Sequence, residues 1–307
     1  MKYLVTGGAG FIGSHIVSAL IERGKEVIVL DNFSTGLKAN IPKGASVIIG
    51  HAGDHSILDE ILPNCAAIFH LAAVSSVQAS IDNPLKVHDE NLTTTLALLE
   101  AARQHGVKRF VFSSSAAVYG DTQGIPAKET MKPCPLSYYA VQKMASEMYC
   151  EIYYRLHRIE TVCLRYFNVF GPRQSSNSIY SGVIAQFIAA ARLKKQIVIF
   201  GDGLQTRDFC PVTNVVAANL AAAFEPANKV AGKVFNIGSG NAISILKVVE
   251  SIREIFPDMP VANFCPARLG EVQHSCADIS QAREKLGYEP TGTFKQTLEA
   301  LALGIEI

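Results

Sequence analysis

Tyr139 and Lys143 carry the most legible chemistry of the chain, in the run Ser137-Tyr-Tyr-Ala-Val-Gln-Lys143. At i and i+4 of a helix their side chains share a face. A free tyrosine has a pKa of about 10 and is a poor base near neutrality. A cation about 4 Å away contributes about 4 kcal/mol at an intermediate dielectric. At about 1.4 kcal/mol per unit, that lowers the tyrosine pKa by up to about three units. Tyr139 would then titrate near the working pH, as a general acid or base must. Tyr138 competes for the role but lacks this spacing to a lysine. Ser115 lies 24 residues before Tyr139, at the end of the apolar run Arg109–Ser113. A hydroxyl there can hydrogen-bond a substrate alcohol and relay its proton. Taken singly, each feature has a plain structural reading: a helix with Tyr and Lys one turn apart, or a serine-rich turn.

The elements that must hold these residues begin at the N-terminus. Tyr3, Leu4 and Val5 form a short buried strand. Gly7, Gly10 and Gly13 follow at a three-residue step, and Gly8 completes a literal G-x-G-x-x-G. Phe11, Ile12, Ile16, Val17 and Leu20 then take helical spacing. Glycines suit a sharp turn and the close approach of a pyrophosphate, and the helix N-terminus offers free N–H groups to that anion. A second strand, Glu26–Leu30, ends in Asp31, about twenty residues on, where an acid meets the adenosine ribose. Asp31 would repel a ribose 2′-phosphate, which favours NAD over NADP. Further strands are predicted at Ser46–Ile49, Ala66–Ala73, Arg109–Ser113 and Glu160–Arg165. Long helices are predicted after Pro84 and over 137–156. Strands alternating with helices predict an α/β, Rossmann-type, doubly wound parallel sheet.

Regularity drops after Arg165. Phe167–Gln174 is expected to be a loop and Ser175–Ser178 a polar linker. Helices are predicted near 181–193, 212–224, 245–256, 279–286 and 294–303. Short strands are predicted at Gln196–Phe200, Val234–Ile237 and Val261–Phe264, and Asp278 with Gln281 as an N-cap pair. The expected organisation is a nucleotide-binding domain over 1–170 and a smaller mixed α/β substrate domain over 171–307. Segments around 205–245 are expected to return to the first domain. The formal net charge of +1 and 18% charged residues suggest no nucleic acid or membrane partner. No apolar run reaches the length of a membrane span. The first strand occupies the N-terminus, so no signal peptide is expected there. Seven scattered cysteines show no metal-binding spacing, which suits reduced thiols in the cytoplasm and no metal site.

The chain resembles the extended short-chain dehydrogenases/reductases, and within them the UDP-galactose 4-epimerase type, over essentially its whole length. The matching segments are Thr6–Gly13, Leu30–Ser34, His70–Ala73, Asn91, Phe112–Ser115 through Gly120, Tyr139–Lys143, Arg165–Pro172, Gly201–Gly203 with Arg207-Asp208, and Arg268–Glu271. His55 and Tyr138 depart from the pattern, which usually has an apolar residue and a proline there. The resemblance implies bound NAD, a UDP-sugar substrate and a homodimer. The dimer would pair through helices near 87–104 and 137–156, with Leu96, Leu98, Tyr149, Ile152 and Tyr153 as apolar positions.

Residue by residue, the resemblance implies catalysis by Ser115, Tyr139 and Lys143. Cofactor contacts are implied at Gly7, Gly10, Phe11, Ile12, Gly13, Asp31, Asn32, Ser34, Gly36, Asp54, Leu71, Ala72, Ala73, Asn91, Ser113, Tyr139, Lys143 and Tyr166. Substrate contacts are implied at Ser115, Tyr139, Asn168, Val183, Val198, Phe200, Arg207, Arg268 and Ser275. The implied reaction inverts C4 of the sugar through a transient 4-keto species that turns about its pyrophosphate tether. Related dehydratases and decarboxylases carry acids at the positions of Ala116 and Ala117; alanine cannot transfer a proton, so those outcomes lack their acid here. Ser275 stands where relatives confined to non-acetylated sugars place a tyrosine, so it is expected to leave room for an N-acetyl group. Alternative readings are a UDP-uronate 4-epimerase, a 4-ketosugar reductase, or a non-catalytic NAD-binding protein.

Overall fold

A computed structural model describes residues 1–121, 124–175, 182–267 and 272–306. Twelve strands follow in chain order: β1 (Lys2–Thr6), β2 (Glu26–Asp31), β3 (Ser46–Ile49), β4 (Cys65–His70), β5 (Arg109–Ser115), β6 (Glu160–Tyr166), β7 (Asn168–Phe170), β8 (Val198–Phe200), β9 (Thr206–Pro211), β10 (Lys233–Ile237), β11 (Ala242–Ser244) and β12 (Asn263–Cys265). Seven make one parallel sheet, in the order β10-β6-β5-β4-β1-β2-β3. The order reverses between β1 and β4, and ligands of open α/β sheets sit outside the strand ends at such a point.

The central strands are apolar almost throughout because both faces are covered. One face buries Val5, Val29, Val111 and Leu164 with Val17, Leu20, Val215 and Ala218 of helices Phe11–Glu22 and Val212–Phe224. The other buries Leu4, Leu30, Phe110 and Cys163 with Leu58, Leu98, Leu99 and Cys150. A third core joins Phe170, Ile188, Ile199, Phe209, Val248 and Leu298 in the C-terminal part. There β11, β9 and β7 form a three-stranded sheet, and β12 and β8 pair in parallel. Within 205–245, β9 belongs to that small sheet. Helix Val212–Phe224 packs on the large sheet, and β10 extends that sheet beside β6.

Several expectations are corrected. Asn168–Phe170 is a strand rather than loop, paired in parallel with β9 at Asn168↔Phe209. Its partner lies some forty residues on, so the pairing has no local signature. The fourth strand starts at Cys65 and stops at His70. The helix expected after Pro84 is three pieces: Pro84–His88, a π-helical turn Asp89–Thr93, and Thr94–Gln104. The turn rotates Asn91 inward, where its side chain is bonded on both sides, and such turns gather at functional sites. Asp278 accepts from the Ser280 N–H (2.9 Å), but Gln281 donates to the Val234 carbonyl (2.7 Å) instead of completing a cap pair. Strand 196–200 begins at Val198, and strand 261–264 moves to Asn263–Cys265. The helix expected near 181–193 is Val183–Arg192, and its predicted start at Ser181 lies outside the described residues. No described helix is long and apolar enough to cross a membrane.

Candidate active site

The glycine turn is built for close approach. Gly7 has φ +68°, and a Cβ there would lie 2.7 Å from the Ala72 nitrogen. A Cβ on Gly13 would lie 2.2 Å from the Gly7 carbonyl oxygen. The first helix therefore starts hard against the turn, with Gly10 as its N-cap and no side chain bonded to its N–H groups. Phe11 and Ile12 open that helix, so their N–H groups face outward from its end. Asp31 ends β2 beside this turn. Its Oδ2 accepts from the Ala9 N–H (2.9 Å) and its Oδ1 from the Phe33 N–H (2.8 Å). Gly36 packs where a Cβ would touch Ala9 and Asp31, folding the loop with Asn32 and Ser34 over the site. Asn32 Oδ1 accepts from the Ser34 N–H (3.0 Å). Leu71 and Ala72 lie against the turn through hydrogen bonds from their N–H groups to the Thr6 carbonyl and Thr6 Oγ1, and Ala73 follows them. This cradle of free N–H groups, absent Cβ atoms and one carboxylate fits a dinucleotide. Asp54 stands apart: it is exposed and caps helix His55–Ile61, with Oδ1 accepting from Ser56 N–H (3.0 Å) and Oγ–H (2.6 Å).

Helix Tyr138–His157 supplies the chemical pair. Ser137 caps it, accepting from the Ala140 N–H (3.2 Å), so Tyr138 needs no proline to start the helix. Tyr139 and Lys143 are both buried. The Ser115 hydroxyl acts on that of Tyr139, favouring its ionised form, and accepts from the Ala117 N–H (3.1 Å). Lys143 Nζ donates to the Ser113 carbonyl (2.7 Å), over the ring faces of Phe112 and Tyr139 at 4.8 and 5.8 Å. One expectation reverses here. Burial pushes the Tyr139 hydroxyl above its usual pKa, and the nearby Ser115 hydroxyl only partly opposes this. Lys143 is drawn down to about 8, because burial outweighs the Glu147 carboxylate. The protein alone therefore does not depress Tyr139, because burial outweighs the groups that favour its ionised form.

Neighbours hold this arrangement. Asn91 donates to the Val74 carbonyl (3.1 Å) and to Gln142 Oε1 (2.9 Å), and accepts from the Val74 N–H (2.8 Å). It thus ties the loop after β4 to the Tyr/Lys helix. Tyr166 Oη lies 3.0 Å from Ser113 Oγ and accepts from Asn219 Nδ2 (2.8 Å); burial pushes it up to about 12. His70 bridges Thr6 Oγ1 (2.9 Å) and Thr95 Oγ1 (3.0 Å), and burial holds it neutral, at about 3. Gln142 and His70 lie inside matching segments that assign them no role, and Asn219 lies in none; their roles appear only once the strands are adjacent.

Asn168, Val183, Arg207 and Ser275 gather around β9. Arg207 Nη1 donates to the Gln273 carbonyl (3.2 Å), and the Ser275 N–H donates to the Thr206 carbonyl (3.1 Å). Buried Asp208 accepts from the N–H groups of Ala277 (3.1 Å), Ser239 (2.7 Å) and Gly240 (3.0 Å). The Ala127 N–H donates to the Cys276 carbonyl (2.8 Å) and Ala127 accepts from Asp278 (2.8 Å), joining the segment after Ser115 to that of Ser275. Asn168 and Val183 line one small cavity with Gln174 and Phe209. Phe200 is half-buried, its carbonyl accepting from Gln205 (2.7 Å), and Val198 is exposed. Arg268 lies outside the described residues. Among the described residues, no group of His, Cys, Asp and Glu is arranged to hold a metal ion.

A family model described as the NAD dependent epimerase/dehydratase family matches residues 3–238. The chain is 38% identical to a putative UDP-glucose 4-epimerase of Methanocaldococcus jannaschii, over 96% of this chain and 95% of that one. Among solved structures, the UDP-glucose 4-epimerase of Thermotoga maritima with UDP-glucose superposes with a TM-score of 0.94 at 37% identity, covering 99% and 98% of the two chains. A UDP-N-acetylglucosamine 4-epimerase of Methanobrevibacter ruminantium, in complex with UDP-N-acetylmuramic acid, gives 0.94 at 36% identity over 99% and 97%. A UDP-glucuronic acid 4-epimerase of Bacillus cereus, in complex with a fluorinated uronic acid nucleotide and NAD, gives 0.91 at 32% over 99% and 98%. With the glycine turn, Asp31 and the Ser115–Tyr139–Lys143 group in place, the chain belongs to the NAD-dependent epimerase/dehydratase family.

Proposed function

We propose that the protein is a UDP-sugar 4-epimerase acting on neutral hexoses, with UDP-glucose/UDP-galactose and UDP-N-acetylglucosamine/UDP-N-acetylgalactosamine as substrates. The observation that carries the reading is the buried Tyr139 at the Ser115 end of β5, with Lys143 over its ring and pinned on the Ser113 carbonyl. Tyr139 takes the C4 hydroxyl proton and returns it, with Ser115 in the hydrogen-bond path. Bound NAD supplies the acceptor and then the donor of the C4 hydride, so no net oxidant is needed. Gly7, Gly10, Gly13 and Asp31 hold it. Asn168, Arg207 and Arg268 hold the UDP part, since an arginine fork pairs with pyrophosphate oxygens. That anchor binds away from the reacting carbon, so the sugar can present either face.

A uronate carboxylate would need a cation or a cluster of hydroxyls, and the residues that follow Ser115, Ala116 and Ala117, supply neither. Lys143 does not serve, being buried on Ser113. Ser275 is half-buried, and a serine there would leave room for an N-acetyl group that a tyrosine would fill. The purified protein should be incubated separately with UDP-glucose, UDP-N-acetylglucosamine and UDP-glucuronate, and the C4 products read by NMR. Conversion of the first two and not the third is expected. Conversion of the uronate alone would overturn the reading.

The protein is further proposed to be a cytoplasmic homodimer. Leu98 and Tyr153, expected to contribute to the interface, are buried in the subunit core. Ile152, also expected there, is exposed and lies with Val141, Met148 and Leu156 in an apolar stripe along helix Tyr138–His157 that a second copy would cover.

A further inference from the structure

Glu147 continues the helix face of Tyr139 and Lys143 by one more turn and, like them, is buried. Its Oε1 accepts from the Ser114 hydroxyl and from Arg165 Nε (2.9 Å), and its Oε2 from Arg165 Nη2 (2.7 Å). Arg165 is 4% exposed, and its Nη1 has no hydrogen-bond partner. Its guanidinium lies 4.8 Å from the Tyr119 ring centre instead. Such a pair is expensive to bury, and apolar packing of similar volume is often at least as stable. Stability alone does not account for it.

Its place in the site does. Ser114 stands between Ser113, whose carbonyl holds Lys143, and Ser115, whose hydroxyl meets Tyr139. Glu147 therefore grips the strand end midway between the two contacts of the Tyr/Lys pair. The groups around Lys143 can be named element by element. From β4 comes His70, neutral; from β5, the Phe112 ring and the Ser113 carbonyl. From β6 come Arg165, paired on Glu147, and Tyr166, bonded to Ser113 and Asn219. Tyr119, after β5, stacks on Arg165. From the helices alongside come Ser80, Asn91 and Thr95, while Glu100 turns away to Arg103 and Tyr153. On its own helix are Tyr139, Cys150 and Glu147, and Glu147 is the carboxylate among these described neighbours that acts on Lys143.

Resting on the site reading given under Proposed function, we propose that Glu147 is a positioning residue: it is the fixed counter-charge of Lys143 and the anchor of Ser113–Ser115, and it acts on Tyr139 through both. Arg165 aims the carboxylate. Burial already draws Lys143 to about 8 with Glu147 opposing it. Without that carboxylate, and with the Arg165 cation stranded beside it, Lys143 would lose its proton near neutrality and Tyr139 would keep its own.

The test compares the NAD-bound wild type with Glu147→Gln, Glu147→Gln/Arg165→Gln and Tyr139→Phe. The Tyr139 phenolate is titrated by ultraviolet difference absorbance, each protein against its Tyr139→Phe counterpart. Glu147→Gln is expected to move that titration up by about one unit and to cut kcat at pH 7 about tenfold, with KM little changed. The double variant, which strands no cation, should recover part of both. An unmoved titration and pH profile, whatever the loss of kcat, would overturn the proposal. If Glu147→Gln fails to fold, the double variant carries the same titration. Full activity in Tyr139→Phe would overturn the site reading instead, and this proposal with it.

Discussion

The end of β5 and the small sheet around β9, which the proposed function gives to one substrate, are built differently. At β5 the working groups are sealed: Tyr139, Lys143, His70, Ser113 and Ser114 are all buried, each with a named partner. At β9 the anchoring groups reach the surface: Asn168 is exposed, and Arg207, Phe200 and Ser275 are half-buried on strands and segments of a few residues. Proton transfer needs a reacting atom held to within about half an ångström, which packing and hydrogen bonds provide. Anchoring a nucleotide needs only groups that the ligand itself will cover. Binding far from the reacting carbon then allows the sugar to be held loosely.

The sharpest way to break this contrast is Tyr139→Phe. One oxygen is removed from a sealed site, and turnover should fall about 10²–10⁴-fold while UDP binding stays, as read by NMR of C4 products and by calorimetry. A loss of binding in proportion to turnover would mean that the two regions are not separable. A smaller effect is expected from Ser275→Tyr in the open region. Forcing a phenol ring into the sugar space costs about 1–3 kcal/mol, so N-acetylated activity should drop about tenfold to a hundredfold and hexose activity should not. Equal loss of both would remove Ser275 as the gate.

The smallest effect concerns pH. Lys143 falls from its ordinary 10.5 to about 8 in the folded state, so between those values the unfolded chain binds more protons there. Its contribution to stability is therefore fully present above 10.5 and is lost as the pH falls through about 8. The slope is at most about 1.4 kcal/mol per pH unit. Between pH 8 and 10, wild-type Tm should rise relative to that of Lys143→Met. Parallel Tm curves would mean that the amine is not sealed.

The same two regions were unequally legible. β1 to β6, the glycine turn and Asp31 follow from periodicity and turn chemistry, which act over a few residues. β7 and β9 pair segments far apart in the chain and lack a strong pattern, so one was expected as a loop. The break at Asn91 was hidden for a related reason: the residues 87–104 keep helical spacing, and only the contacts to Val74 and Gln142 favour the π turn.

By itself the sequence determined that Tyr139 and Lys143 lie one turn apart on a helix and that Ser115 follows a strand. Tertiary structure decided what those groups are electrically. Helix spacing alone has Lys143 lowering Tyr139, but packing buried the hydroxyl, and burial raises it instead. Spacing along a helix is set by covalent geometry, whereas desolvation depends on everything that packs around a group. The sign of a buried pKa shift therefore had to wait for β5, β6 and the helix to come together.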